Sequence, residues 1–230
     1  MTVLEAAKSL RRVALFKDLT DDDLAWISDK AIVRRHPPQD ELLNFLDDTS
    51  DVYFVLEGRL RVTLYSHDGK ETIFRDIAEG EVFGELAAID GRPRSANVVA
   101  LSECLVATMT SASFQSLVTT NPTVCMALMQ HLTRQVRTLT ERVYQLGTWT
   151  VRYRLFAELL KLGRYGQAGS EEIVIRDFPT HGEIASRIST HREAVSKELS
   201  QLTKAGVIRQ QGRTLVIRKP AFLADHLHLS

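Results

Sequence analysis

The sequence is poor in cysteine and has no long apolar run. Its 230 residues include 2 cysteines, Cys104 and Cys125, too few for a cysteine-only zinc site or an iron–sulfur cluster. The same scarcity argues against a secreted scaffold held together by disulfide bonds. No apolar run reaches the roughly 18 residues of a membrane-spanning helix, and the charged N-terminus does not resemble a signal peptide. We therefore expect a soluble cytoplasmic protein.

Motifs of common hydrolases and metal enzymes are also missing. Neither G-x-S-x-G, which places a nucleophilic serine, nor the zinc-binding H-E-x-x-H occurs. His36 and His67 are isolated and more typical of surface residues than of metal ligands. The sequence therefore predicts no catalytic residue and no metal site, and we do not expect an enzyme.

The formal net charge is zero, but the charges are unevenly distributed. Residues 1–120 carry 13 Lys and Arg against 20 Asp and Glu, whereas residues 121–230 carry 16 against 9. A basic C-terminal half favours a polyanionic partner such as nucleic acid. Charge alone leaves open a chance clustering of solvated side chains.

Residues 30–110 have the pattern of short β-strands. Apolar runs such as residues 52–56 and 60–65 are separated by turn-forming residues. The Asp-Gly pair within residues 67–70 is typical of a tight turn between antiparallel strands. Ahead of the strands, Thr20 and the three aspartates that follow predict the capped start of a short helix. The many short strands favour an antiparallel barrel or jelly roll.

After Pro122 the pattern becomes helical, with apolar residues at alternating intervals of four and three. This heptad repeat is typical of a coiled-coil seam and favours a parallel, two-fold homodimer. The alternative is that the helix packs against the chain's own barrel. The seam consists of Cys125, Met129, Leu132, Val136, Leu139, Val143 and Leu146.

The C-terminal part predicts helix, turn, helix and hairpin, a recurring DNA-binding arrangement. The two helices cover residues 180–188 and 190–205, and Thr180 with Glu183 forms a capping pattern at the start of the first. The whole chain is therefore expected to have an α+β fold in three parts. These are an N-terminal antiparallel jelly-roll β-barrel (1–120), a long dimerisation helix (121–149) and a C-terminal winged helix-turn-helix (150–230).

The segment GEVFGELAAIDGRPRSANVV combines groups suited to a phosphorylated sugar. Gly84 lets backbone amides approach an anion, and Arg94 and Ser95 offer a guanidinium fork and a hydroxyl to phosphate oxygens. Glu85 can accept hydrogen bonds from sugar hydroxyls. From spacing alone, an ion pair of Arg94 with Glu85 or Asp90 is an equally good explanation.

This segment resembles the phosphate-binding cassette of cyclic-nucleotide-binding domains. With the long helix and the winged domain, the whole chain resembles the bacterial catabolite activator family of cyclic-AMP receptor proteins. The resemblance implies that Glu85 binds the ribose 2′-hydroxyl and that Arg94 and Ser95 hold the cyclic phosphate. The matching residues are Gly84, Glu85, Leu86, Pro93, Arg94, Ser95 and Ala96.

The resemblance also implies that the long helix contacts the adenine base. Alignment on residues 141–143 places Leu139 and Thr140 at the base-contacting positions and Gln135 where the activator has Arg. Thr140 keeps a hydroxyl, whereas Leu139 cannot form a hydrogen bond. Because one such bond changes affinity by about tenfold at most, we expect cyclic AMP as the allosteric ligand and cyclic GMP as a second candidate.

The sequence R-E-A-V-S-K at residues 192–197 is similar to the family's R-E-x-V-x-R pattern. The resemblance implies that Arg192 reads guanine and that Glu193 accepts from cytosine, in a palindrome with TGTGA-like half-sites. It also implies RNA polymerase as a partner, contacted in the activator through the loop that corresponds to residues 163–172. The predicted DNA-binding residues are Thr180, Thr190, His191, Arg192, Glu193, Ser196 and Lys197.

Other classes of function remain open at this stage. One is a member of the same superfamily that senses another small ligand, or that is constitutively active on DNA. A second is an enzyme, and a third is a nucleotide-binding scaffold without DNA activity. The exposed charged residues of the second helix and the basic C-terminal half weigh against the third.

Overall fold

The computed structural model describes residues 9–163 and 172–228, which form two compact units, Met1–Val136 and Arg137–Ser230. The boundary between the units falls inside the long helix, which runs from Pro122 to Thr148. The predicted divisions at residues 120 and 150 lie close to the two ends of this helix, and we keep them as a proposal. No described helix is both long enough and apolar enough to cross a membrane.

The first unit is built from two four-stranded antiparallel sheets, with strand orders β1-β8-β3-β6 and β2-β7-β4-β5. This confirms the predicted antiparallel fold, although the described strands pair as two sheets rather than as one closed barrel. In chain order its elements are α1 (Asp21–Lys30), β1 (Ala31–His36), β2 (Glu41–Leu43), β3 (Val52–Glu57), β4 (Arg59–Tyr65), β5 (Glu71–Ala78), β6 (Val82–Phe83), α2 (Glu85–Asp90), β7 (Asn97–Ala100), β8 (Cys104–Met109), α3 (Ser111–Thr120) and the first part of α4 (Pro122–Thr148).

Aromatic rings hold the sheets and helices of this unit together. The ring of Phe54 on β3 lies 4.8 Å from that of Phe16 and 6.3 Å from that of Phe114 on α3. Helix α4 joins the same core through Val124 and Leu128, both of which are buried. The hydrophobic effect thereby fixes the start of α4 against the sheets.

Two local sequence signals are found where they were expected. Thr20 caps α1 and forms a capping box with Asp23, as its sequence predicts. The Asp-Gly pair lies between β4 and β5, but the loop is longer than a two-residue tight turn. It spans residues 66–70, with Gly69 at φ +79° and a hydrogen bond from the Ser66 amide to the Lys70 carbonyl.

The predicted seam of α4 is largely uncovered within the single chain. Val143 is 69% exposed and Val136 61%, and Met129, Leu139 and Leu146 are also exposed. Cys125 and Leu132 are half-buried, on the side that turns toward the core of the first unit. Val124 and Leu128 therefore pack against the chain's own sheets. Most of the seam is not covered by this packing and is open to another partner.

The second unit contains the predicted helix-turn-helix and wing. Strands β10, β11 and β9 form a three-stranded antiparallel sheet beside the helices, around a core that includes Phe156, Ile184 and Leu199. The predicted loop at residues 163–172 lies mostly outside the described residues. The elements are the rest of α4, α5 (Val151–Gly163), β9 (Ile173–Ile175), α6 (His181–Arg187), α7 (Arg192–Lys204), β10 (Ile208–Gln211), β11 (Thr214–Ile217) and α8 (Pro220–His228).

The turn between α6 and α7 contains a residue in an unfavourable backbone conformation. Ser189 has φ +53°, in the left-handed region that favours glycine. The amide of Thr190 donates to the carbonyl of Ala185 at 3.0 Å, which closes the end of α6 as in a Schellman motif. The turn is therefore formed by a serine at a position suited to glycine.

We expect Ser189→Gly to stabilise the protein. Relief of the left-handed conformation gains about 1–2 kcal/mol, and the flexibility of glycine in the unfolded chain takes back about 0.5–1 kcal/mol. The net gain of up to about 1.5 kcal/mol should appear as a higher midpoint of the second unit's transition in calorimetry of the full chain. Ser186→Gly, within α6, is the matched control and should lower the midpoint. Equal shifts for both variants would contradict this account.

Candidate functional site

A left-handed glycine starts the short helix of the predicted cassette. Gly84 has φ +79° and stands at the N-cap of α2. A Cβ atom there would lie 2.9 Å from Nη1 of Arg94 and 3.0 Å from the carbonyl oxygen of Asp51. Glycine is therefore needed both for the backbone conformation and for the close approach of the guanidinium.

Arg94 is a buried cation whose hydrogen bonds go to neutral oxygens. Its side chain donates to Oγ1 of Thr49 and to the carbonyls of Gly84 and Asp51, each at 2.9 Å. The guanidinium carbon lies 5.7 Å from the centre of the Tyr53 ring, within reach of a cation–π contact. These partners leave the cation 2% exposed without neutralising it.

The ion pair of Arg94 with Glu85 or Asp90, which the spacing left open, is not formed in the described part of the chain. Among the described residues, no carboxylate forms an ion pair with Arg94, and Asp90 is instead 4.0 Å from Arg92. Burial lowers the pKa of Arg94, because desolvation outweighs the attraction of Tyr53 and the nearby carboxylates. An arginine nevertheless stays charged in proteins, so this side of the cleft is cationic.

Glu85, the first residue of α2, is 3% exposed and faces two side chains of α4. Gln135 donates from Nε2 to Oε1 of Glu85 at 2.9 Å, and Nε2 of His131 lies 3.6 Å from the same oxygen. Burial raises the pKa of the Glu85 carboxyl, but contacts with His131 and the Gln135 amide lower it below its ordinary value. The buried carboxylate is therefore ionised at neutral pH.

Six of the seven cassette residues, all except Pro93, line one cleft in the first unit. Sequence reasoning did not assign three further groups to it, namely Arg75, Gln135 and the Thr49 hydroxyl behind Arg94. Arg75 is paired with Glu81 at 2.7 Å, and nothing in its strand pattern marks it as a cleft residue. The cleft is lined by Leu43, Val62, Arg75, Phe83, Gly84, Glu85, Leu86, Ala87, Arg94, Ser95, Ala96, Val98 and Gln135.

The two residues predicted to contact the base lie further along α4. Leu139 is 50% exposed and Thr140 is also exposed, and both belong to the second compact unit. Their contact with a nucleotide remains a prediction.

Helix α7 presents one buried and one exposed face. Val195, Leu199 and Leu202 are buried in the core of the second unit. The opposite face exposes four of the residues predicted to reach DNA, and Thr180 is exposed at the capped start of α6. The four residues are His191, Arg192, Glu193 and Lys197.

Thr190 and Ser196 are less exposed than the other residues predicted to contact DNA. Thr190 is 8% exposed and follows the left-handed Ser189. Its contact with DNA remains a prediction. Ser196 is half-buried and hydrogen-bonded at 2.8 Å to Nδ1 of His181, a residue that the sequence analysis did not single out.

Charged side chains connect α7 and the end of α6 to neighbouring helices. Arg152 on α5 donates to Glu198 of α7 at 2.8 Å. In the same unit, Arg142 on α4 donates to the carbonyl of Arg187 at the end of α6 at 3.1 Å. The position of the exposed face is thus set by neighbouring helices as well as by the apolar core.

Within residues 9–163 and 172–228, no three His, Cys, Asp or Glu side chains come together as a metal-binding group. The first unit has a cleft lined by a buried guanidinium and a buried carboxylate, and the second has an exposed helix face that carries Arg192, Glu193 and Lys197.

Comparison with known proteins assigns both units to described families. Residues 33–121 match the family model described as Cyclic nucleotide-binding domain, and residues 153–226 match the Crp-like helix-turn-helix domain. The first match contains the whole cassette, and the second contains both helices of the helix-turn-helix, α6 and α7.

Relatives with the same two-part organisation cover nearly the whole chain. The cAMP-activated global transcriptional regulator CRP of Salmonella typhimurium is 27% identical over 206 residues, 89% of this chain and 98% of that protein. The CRP-like cAMP-activated global transcriptional regulator of Mycobacterium tuberculosis is 27% identical over 175 residues, 75% of this chain and 78% of that protein.

A solved structure shows the same fold. It is that of the c-di-GMP responsive global regulator CLP of Xanthomonas campestris, with a TM-score of 0.74 and 19% identity, covering 92% of this chain and 98% of the other. Taken with the two family matches, these similarities show that the chain belongs to the CRP family of transcription regulators, which bind DNA and are not enzymes.

Proposed function

We propose that this regulator binds cyclic AMP in the cleft of its first unit and, as a homodimer, a palindromic DNA site with its second. The observation that carries the ligand proposal is the buried Arg94 guanidinium, whose hydrogen bonds go to neutral oxygens. A buried cation that makes no hydrogen bond to a carboxylate favours an anionic ligand. Gly84 and the Ser95 hydroxyl line the same cleft and suit the oxygens of a cyclic phosphate.

Glu85 makes the cleft suited to more than a bare phosphate. An ionised carboxylate repels a phosphate, so this group must face a part of the ligand that donates hydrogen bonds. The 2′-hydroxyl of a ribose has that chemistry, and it lies on the same ring as the cyclic phosphate. The pair of Arg94 and Glu85 thus supports a ribonucleoside cyclic phosphate over a free phosphate.

The number of cations in the cleft bears on the choice among ligands. Two relatives are described as cAMP-activated, whereas CLP is described as c-di-GMP responsive. Here one buried guanidinium, Arg94, is available, because Arg75 is already paired with Glu81. This favours a ligand with a single cyclic phosphate. Regulation by another small ligand, or DNA binding without any ligand, is the alternative.

Base selectivity depends on the long helix. Thr140 offers a hydroxyl to the base across the dimer and Leu139 offers only apolar contact. Because one hydrogen bond is worth about 0.5–1.5 kcal/mol, cyclic GMP is the second candidate for the same cleft.

The uncovered seam of α4 supports a homodimer. A stripe of exposed apolar side chains with a heptad repeat is stabilised when a second copy covers it. The same continuous helix carries Gln135 at the cleft and Arg142 beside α6. We propose that nucleotide binding favours one arrangement of the two α4 helices and thereby sets the spacing of the two α7 helices.

DNA reading is assigned to the exposed face of α7. Arg192 suits guanine, Glu193 suits cytosine, and Lys197 suits guanine or a phosphate, in two TGTGA-like half-sites one helical turn apart. His191 and Thr180 are exposed, and we assign to them contacts with the DNA backbone. We propose RNA polymerase as a further partner and the cytoplasm as the location, because the regulator acts on DNA there.

Nucleotide-dependent DNA binding is the direct test of the proposed function. Fluorescence anisotropy of a labelled TGTGA palindrome, at fixed salt, should show tight binding with cyclic AMP. With cyclic GMP the binding should be weaker, and without nucleotide it should fall by at least about fivefold. Equal binding in all three conditions would favour a constitutive regulator, and response to cyclic di-GMP alone would favour the alternative ligand.

Arg94→Lys tests whether the Arg94 guanidinium holds the cyclic phosphate. Lysine keeps the charge but loses the planar fork that contacts Thr49, Gly84 and Asp51, so cyclic AMP affinity should fall by about tenfold to a hundredfold. Arg92→Lys is the matched control, because Arg92 is exposed and two residues away. Calorimetric titration that shows the same affinity for both variants would contradict the role of Arg94.

Val143→Asp tests the dimer seam. A charge in the centre of an apolar interface is costly to bury, so sedimentation equilibrium should show dissociation at a concentration at least about tenfold higher. Thr138→Asp introduces the same charge on an exposed position outside the seam and should leave the dimer intact. A monomeric wild type, or equal effects of both variants, would rule out the seam.

A further inference from the structure

Two side chains of α4 reach into the nucleotide cleft from outside the cassette. His131 and Gln135 are one helical turn apart and therefore share a face of the helix. Both meet the same oxygen, Oε1 of Glu85, which lies on a different element and is 3% exposed. The side chain of His131 is itself 13% exposed, so the contact is shielded from water.

The hydrogen-bond chemistry fixes the orientation of the three groups. Nε2 of Gln135 is 2.9 Å from Oε1 of Glu85 and 2.6 Å from Nε2 of His131. An amide nitrogen has two N–H donors and accepts none, so it donates one to each neighbour. The opposite amide orientation would bring two acceptor oxygens together. His131 therefore accepts from Gln135 at Nε2, and its distance of 3.6 Å from Oε1 of Glu85 is beyond hydrogen-bond length.

We propose that Gln135 and His131 are positioning residues that hold Glu85 for the ribose 2′-hydroxyl and so make the cleft selective for ribonucleotides. This inference rests on the proposed function. Gln135 and His131 both lie beside Oε1, and the hydrogen bond accepted from the ligand is assigned to Oε2. A carboxylate with one oxygen held has fewer rotamers to lose when the hydroxyl binds. His131 acts through Gln135, whose amide it keeps turned toward Glu85.

The same contacts account for a departure from the family pattern. Gln135 stands where the activator has an arginine, so a neutral amide and an imidazole replace one cation beside Glu85. The amide holds one oxygen of Glu85 without neutralising the carboxylate.

The test compares cyclic AMP with 2′-deoxy cyclic AMP, which lacks the hydroxyl. Calorimetric titration of the full-length wild type should give at least about tenfold tighter binding of cyclic AMP, since the bond accepted by an ionised group is lost with the analogue. Gln135→Leu should reduce this ratio to threefold or less by lowering cyclic AMP affinity alone, as an estimate from the same bond energies. Its affinity for the deoxy analogue should stay within about twofold of wild type.

Companion variants separate positioning from a merely structural role. Gln135→Ala serves as a second helix-compatible substitution should Gln135→Leu fail to fold. His131→Leu should lower the ratio, and His131→Gln should restore most of it because the glutamine oxygen accepts from Gln135. Gln130→Leu, on the exposed face of the same helix, is the matched control and should leave the ratio unchanged.

The possible failures can be distinguished. An unchanged ratio in the Gln135 and His131 variants, or equal loss for both nucleotides, would overturn the positioning role while leaving the proposed function intact. A wild type that binds both nucleotides equally would remove Glu85 from ribose recognition and the inference with it. A wild type that binds neither nucleotide would overturn the proposed function itself.

Discussion

A single helix of 27 residues with two apolar faces constrains the rest of this protein. Val124 and Leu128 secure its start in the core of the first unit, whereas Met129, Val136 and Leu139 of the heptad stripe stay exposed in the single chain. The stripe continues into the second compact unit, where Val143 is the most exposed of its members. An apolar stripe of this length is stabilised by a second copy of itself, and the proposed regulation depends on that symmetry.

The cleft follows a different physical rule, the high cost of burying charge. Arg94 and Glu85 are each almost fully buried, yet they do not pair with each other. Three neutral oxygens hold the cation, and the Gln135 amide, which also contacts the His131 imidazole, donates to the carboxylate. Keeping the opposite charges apart is unfavourable without a ligand, and it leaves two different recognition groups in one cleft. A ribose cyclic phosphate satisfies both groups at once.

In the second unit, the packing of α7 determines which polar residues are exposed to solvent. The buried stripe of α7 turns Arg192, Glu193 and Lys197 outward, so their exposure follows from helical periodicity. Thr190 is adjacent in sequence but belongs to the turn, and the left-handed Ser189 before it directs its side chain inward. Spacing along a helix predicted the exposed residues correctly, whereas the geometry of the turn was not predictable from periodicity.

The sequence by itself determined the strand-rich first part, the long amphipathic helix, the winged helix-turn-helix and the cassette residues. These follow from periodicity, turn residues and a contiguous motif, all of which are local. Tertiary structure alone decided that Arg94 is held by Thr49 and Asp51, and that Glu85 is held by Gln135 and His131. Those partners are about 40–50 residues away along the chain, so only the folding of the sheets and of α4 brings them together.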